Sequence, residues 1–154
     1  MKYPGLLLPL LLLSGHLGAQ VRINEIMASN ASVHADLDFG AYVDWIELYN
    51  HSDEDLDLSG HFLSDDPSNR QMWEFQSGTI LPAGSYLLVY ADGIGSGLHT
   101  SFKLAREGES ILLLDPLSRT MDSLSYPEQR SDISYGISRS DSKTHGYFER
   151  PTPG

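Results

Sequence analysis

Tyr42-Val43-Asp44-Trp45-Ile46-Glu47-Leu48-Tyr49-Asn50 admits two periodicities, and choosing between them decides the fold. Tyr42, Trp45, Ile46 and Tyr49 fit one face of a helix. In the extended reading Asp44, Ile46 and Leu48 share one face, and Trp45, Glu47 and Tyr49 the other. The run is short, and Asn50-His51-Ser52-Asp53 ends it sharply with turn-forming residues. A strand is therefore predicted. Both of its faces are part apolar, as suits a strand held between a core and a covering loop.

The same reading extends outward. Short segments rich in β-branched and aromatic residues alternate with turn clusters along the chain. Strands are predicted at Val21–Met27, Tyr42–Asn50, Leu56–Ser59, His61–Ser64, Met72–Phe75, Ser85–Tyr90, Ile111–Leu114 and Asp122–Tyr126, with a last extended piece at Gly146–Arg150. No long stretch carries a capped helical stripe. Seven to nine strands in about 130 residues predict an all-β, immunoglobulin-like β-sandwich. Gly84, after Pro82, is assigned a left-handed turn position, where a Cβ would clash. Ser131–Lys143 is poor in apolar residues and reads as a long surface loop.

Residues 1–19 read as a signal peptide rather than as fold. Lys2 supplies the positive start, Leu6–Leu13 an apolar run broken by Pro9, and Ala19 a small residue before the cut. The run is too short to span a bilayer, which takes about 20 apolar residues. The domain is then 20–154, and the protein is expected to be secreted or held at the cell surface. The chain has no cysteine, which excludes disulfides, thiolate metal sites, a cysteine nucleophile and a lipid-modified anchor. Its formal charge is −11, and losing Lys2 makes it one unit more negative. That field opposes nucleic acid, whose phosphates need clustered Lys and Arg. It equally opposes anionic membrane surfaces, and favours cations, basic proteins or neutral glycans.

Several separated motifs now resemble one family. Ile23–Asn30 (INEIMASN) is similar to the opening strand of the bacterial, secreted type of lamin-tail domain, and Asp44–Asp66 (DWIELYNHSDEDLDLSGHFLSDD) to its central signature. Trp73–Phe75, Leu81–Gly93, Leu98–Asp115, Asp122–Gly136 and the closing Pro151–Gly154 follow in family order. The resemblance implies an immunoglobulin-like sandwich without general catalytic residues. It implies binding to other proteins, as in the tails of animal nuclear lamins. In bacteria such domains stand beside CotH-like kinase, nuclease or phosphoesterase domains. An accessory domain cut from a larger secreted enzyme is thus the alternative to a free-standing interaction or adhesion module.

Few residues offer chemistry. Acidic side chains are densest between Val21 and Gly60, where Asp36-Leu37-Asp38 places two carboxylates on one side of an extended segment. Asp44 follows a glycine-containing loop. Asp36, Asp38 and Asp44 are candidate calcium ligands, since calcium gathers oxygen donors from flexible loops. EF-hand spacing is missing, so a calcium-stabilised structural domain stands third, and no other cofactor is expected. Glu25 and Glu47 lie inside strands, where a buried carboxylate must be hydrogen-bonded. They are expected to tie a loop to the sheet rather than to form a hydrolytic pair. The six histidines are scattered, without ligand-pair spacing. A nucleophile elbow and a phosphate loop are both missing. The expected function is non-enzymatic binding of a protein or glycan at the cell surface or matrix.

Overall fold

The computed structural model describes residues 20–138, 141 and 143–154; the leader read into residues 1–19 lies outside them. Among the described residues there is no helix. The strands are β1 (Val21–Met27), β2 (Trp45–Asn50), β3 (Leu56–Asp57), β4 (Phe62–Ser64), β5 (Trp73–Glu74), β6 (Ile80–Leu81), β7 (Tyr86–Tyr90), β8 (Glu109–Leu114), β9 (Thr120–Tyr126), β10 (Ser134–Ile137) and β11 (His145–Phe148). They form an antiparallel five-stranded sheet in the order β11-β10-β1-β2-β7, a four-stranded sheet β5-β4-β8-β9 and a small β3-β6 pair.

An immunoglobulin-like β-sandwich results. Val21, Ile23, Ile26, Ile46, Leu48 and Val89 of the large sheet share one apolar layer with Leu63, Trp73, Ile111, Leu113 and Leu124 of the second. Removing such side chains from water is what drives the two sheets together. Alternation explains which residues enter: Leu112 and Leu114 on β8 point away from this layer and join Phe62 in a small outer cluster.

β1 breaks its own alternation. Ile23 pairs with Leu48 across the sheet, yet the next pair is Glu25 with Glu47, so Asn24 is the extra residue of a β-bulge. The bulge resets the parity. Val21 and Ile23 face the core before it, Ile26 and Ala28 after it, and Glu25 is turned to the outer face. Strict alternation would have driven that carboxylate into the apolar layer, at high cost. The Asp122 carboxylate on β9 accepts the Ile23 N–H at 2.7 Å and stitches the two sheets at this point.

Two predicted segments change. Ser131–Lys143 is not a continuous loop, because Ser134–Ile137 forms β10, paired with β1 on one side and β11 on the other. Its polar character deceives: Ser134 is buried because its hydroxyl donates to Glu25, and Gly136 sits against the bulge. Leu81, just before Pro82, ends β6, with its backbone paired to Leu56. Tyr42–Asn50 is a strand only from Trp45. Gly84 takes the left-handed conformation expected of it, with φ of 65°.

Candidate functional site

The outer face of the large sheet, away from the core, carries the polar chemistry. Arg22, Glu25 and Met27 of β1 share it with Trp45, Glu47 and Tyr49 of β2 and with Tyr86 and Tyr90 of β7. Two sites lie at its opposite ends.

At one end Glu25 and Glu47 sit opposite each other on adjacent strands, both buried. Glu25 accepts from the Ser134 hydroxyl, from the Thr152 N–H at 3.2 Å and, through its other oxygen, from the Thr152 hydroxyl at 2.9 Å. Glu47 accepts from the Asn24 amide and from the Gly154 N–H, each at 2.7 Å. All four oxygens thus tie other segments down, above all residues 152–154. A cavity of about 440 Å³ opens beside them, lined by Arg22, Tyr49, Tyr86 and Phe148 among others. The Tyr49 and Tyr86 rings stack at 4.5 Å, and the Arg22 guanidinium lies over Tyr49 at 5.2 Å.

At the other end Met27, Trp45 and Tyr90 form a separate apolar cluster. The β1–β2 connection, residues 28–44, is held by its own polar residues. The Asn30 side chain donates to the carbonyls of His34 and Val43, both at 2.8 Å, and its backbone N–H donates to Asp44 at 3.0 Å. Burial raises the Asp44 pKa, while the Asn30 N–H and the charge of Lys103 act in the opposite direction. Within the loop Ala35 bridges Tyr42, and Asp36 and Ala41 share a backbone hydrogen bond, leaving residues 37–40 as a tip. Gly40 turns that tip with φ of 70°.

Asp132 anchors the base of this loop from the far side. Its carboxylate accepts the N–H groups of Ala31 and Ser32 at 2.7 and 2.9 Å and the Ser32 hydroxyl at 2.7 Å. The Ser32 hydroxyl, then the backbone N–H groups, hold its pKa below the ordinary 3.8. A lowered folded-state value contributes stability that is present above the unfolded pKa and is lost as pH falls through the folded one. Asp132→Ala is therefore expected to flatten part of the stability loss between about pH 5 and pH 2. It should also speed amide exchange at residues 31 and 32 at neutral pH. Urea midpoints across that pH range, with hydrogen exchange, check both.

His99 lies under the tip. It is buried, and Tyr90 stacks on it at 5.2 Å while Phe39 tilts against it at 5.3 Å. Its Nδ1 is 2.7 Å from an Asp92 oxygen; its Nε2 is 3.1 Å from Asp38 and 4.0 Å from Asp36. Burial opposes the charged imidazolium, but the hydrogen bonds to Asp38 and Asp92 and the charges of Asp92 and Asp36 outweigh it and raise the His99 pKa. Of the three carboxylates singled out in the sequence, Asp36 and Asp38 meet here. Asp44 does not join them, being engaged at the loop base. Asp92 and His99 were missed, and only their place in the fold brings them in: Tyr90 and His99 form an isolated bridge that folds the 91–98 turn back onto the loop.

The apolar tip is exposed. Four of the nine large apolar side chains left exposed among the described residues fall in this one loop: Val33, Leu37, Phe39 and Tyr42. Leu37 is 87% exposed and Phe39 65%. Ile94, on the neighbouring turn, is a fifth.

No curated protein matches the chain. The family model described as Lamin Tail Domain matches residues 16–128. With an all-strand sandwich beneath that match, the chain belongs to the lamin tail domain family, a structural immunoglobulin-like module.

Proposed function

We propose that the chain is an exported, non-catalytic interaction module that grips a protein partner with the tip of its β1–β2 loop. One observation carries this reading: Leu37 and Phe39 stand in solvent on a loop whose base is fixed by Asn30, Asp44 and Asp132. Exposed large apolar groups clustered on an ordered surface mark contact sites, whereas scattered ones need no explanation. A fixed loop also loses little conformational freedom on binding. The complementary surface is an apolar pocket with a basic rim, since the protein is strongly acidic and Asp38 is exposed beside the tip. The leader-like residues 1–19 and the family's structural character support export and the absence of catalysis.

Leu37→Ser with Phe39→Ser is the direct test. Both side chains are exposed, so the thermal midpoint should stay within a degree or two of the parent protein's. Binding to cell-envelope and matrix proteins, measured as retention on the fractionated material, should fall by about tenfold or more, as for truncation of central contact residues. Unchanged retention sinks the loop as the contact surface. Retention that survives protease treatment of the target but not glycan removal moves the partner to the glycan class. Amino-terminal sequencing of the secreted protein, expected to begin near Gln20, tests export.

A further inference from the structure

We propose that His99, Asp36 and Asp38 form a zinc-binding site beneath the β1–β2 loop, with Asp92 as the group that orients the histidine.

The orientation comes first. With an Asp92 oxygen 2.7 Å from Nδ1, that nitrogen keeps its proton, while Nε2, which hydrogen-bonds Asp38 in the metal-free site, gives up its proton when a cation enters between it and the loop carboxylates. Carboxylate behind, histidine between, metal in front is the arrangement in which a protein holds an imidazole ligand. Nε2 then lies 3.1 Å from an Asp38 oxygen and 4.0 Å from an Asp36 oxygen. Two ligands at about 2.0 Å from a tetrahedral zinc stand about 3.3 Å apart, which the observed separations bracket. Asp36 stands at the longer separation, so its carboxylate, held through Oδ1 by the Asp38 N–H, must shift toward Nε2 as zinc binds.

Asp36 supplies the independent sign. The residue is 1% exposed, and its Oδ1 accepts the Asp38 N–H at 2.8 Å. The partner oxygen on the same carboxylate, Oδ2, is buried without any hydrogen-bond donor. The atom that faces Nε2 is Oδ1, but a buried carboxylate with one oxygen lacking a donor costs free energy that a cation held by that carboxylate offsets in part. Asp36, Asp92 and His99 each offer an atom within 4.8 Å of the others, so the three converge on one small volume, but the 2.7 Å contact with Nδ1 commits Asp92 to the ring rather than to the ion. Asp38 completes the set from the solvent side, its side chain 66% exposed, so a fourth position remains open to water. Three protein ligands and one open position match a zinc site of the accessible kind.

The donor set decides the ion. Calcium takes six to eight oxygens and no imidazole. One nitrogen with two carboxylates in a tight, mostly buried pocket suits zinc instead. The sequence hinted at half of this: Asp36 and Asp38 read as calcium ligands, but the histidine that changes the metal lies far along the chain, and Asp44 is not part of the group.

Isothermal titration of zinc chloride into the chelator-treated protein tests the site. One zinc per chain is expected, with a thermal midpoint that rises with zinc and stays put with the same concentration of calcium. Asp38→Asn, on an exposed side chain, leaves the fold intact and should weaken zinc at least tenfold. Asp92→Asn removes the orienting carboxylate and should weaken it about 10- to 100-fold. His34→Ala, at a neighbouring histidine outside the set, should leave affinity unchanged. No saturable zinc binding, affinity untouched by Asp38→Asn and Asp92→Asn, loss of binding on His34→Ala, or equal stabilisation by calcium would each overturn the assignment. Zinc affinity is read without any partner protein, so its failure is separable from failure of the loop as a contact surface.

Discussion

Asn50→Asp is expected to cost roughly 3–5 kcal/mol of stability, the range for a buried charge left without a partner. Asn50 is fully buried at the end of β2. Its amide nitrogen donates to the carbonyls of Glu54, Leu81 and Pro82 at 2.8, 3.0 and 3.2 Å. Its amide oxygen accepts the Ser52 N–H and hydroxyl at 3.0 and 2.8 Å. One side chain thus joins the acidic turn after β2 to the connection between β6 and β7. Aspartate is the same size but places oxygen against three carbonyl oxygens, replacing attraction by repulsion at a side chain the fold removes from solvent. Asn50→Ala merely deletes the group and leaves those carbonyls short of donors, so a smaller loss, about 2–3 kcal/mol, is expected. Guanidinium unfolding of the three proteins at neutral pH gives the comparison. If Asn50→Asp proves no worse than Asn50→Ala, the polarity argument is wrong. The same burial means that Asn50-His51-Ser52, although it has the form of a glycosylation sequon, presents no accessible asparagine in the folded protein.

Gly136→Ala is the second large effect, with Gly146→Ala as its control. A Cβ on Gly136 would lie 2.3 Å from the Asn24 carbonyl oxygen and 2.8 Å from Glu25 Cα. Both are backbone atoms of the bulge, and neither can swing aside. β10 must then pull away from β1, stretching the Ser134–Glu25 hydrogen bond and the hold on residues 152–154. A loss of about 3 kcal/mol is expected, at the upper end for overpacking. Gly146 is the cross-strand partner of Gly136 on β11, and a Cβ there would meet nothing within 4 Å. Gly146→Ala should be neutral or slightly stabilising, since alanine has fewer unfolded conformations to lose. Thermal melts of the pair decide the matter. Equal midpoints would show that the bulge yields to accommodate the methyl group.

These two residues show what the sequence disclosed and what it withheld. Alternation in Trp45–Asn50 was readable because Ile46 and Leu48 on one side and Trp45 on the other are too large to misplace. β10 was not, because Ser134 and Gly136 earn their burial from a hydrogen bond and a close backbone approach, neither of which has an apolar signature. The bulge at Asn24 was hidden for a related reason: Ile23-Asn24-Glu25-Ile26 reads equally well with either parity until the pairing with β2 is known. At the candidate site, Asp36 and Asp38 announce themselves by proximity in the chain. Asp92 and His99 are polar residues in glycine-rich turns, and only the fold brings them under the loop.

The placement of β1 between β2 and β10 also sets the order in which the molecule can form. Hairpin-like neighbours such as β8 and β9 can pair as soon as both are made, but the first strand waits for a segment more than a hundred positions downstream, Glu25 meeting Gly136. Contacts this distant in the chain slow the search for the native state. A ribosome-bound chain arrested before Ser134 would therefore keep one side of its opening strand unpaired and sticky, and a truncation at residue 128 should yield aggregates rather than a smaller soluble domain.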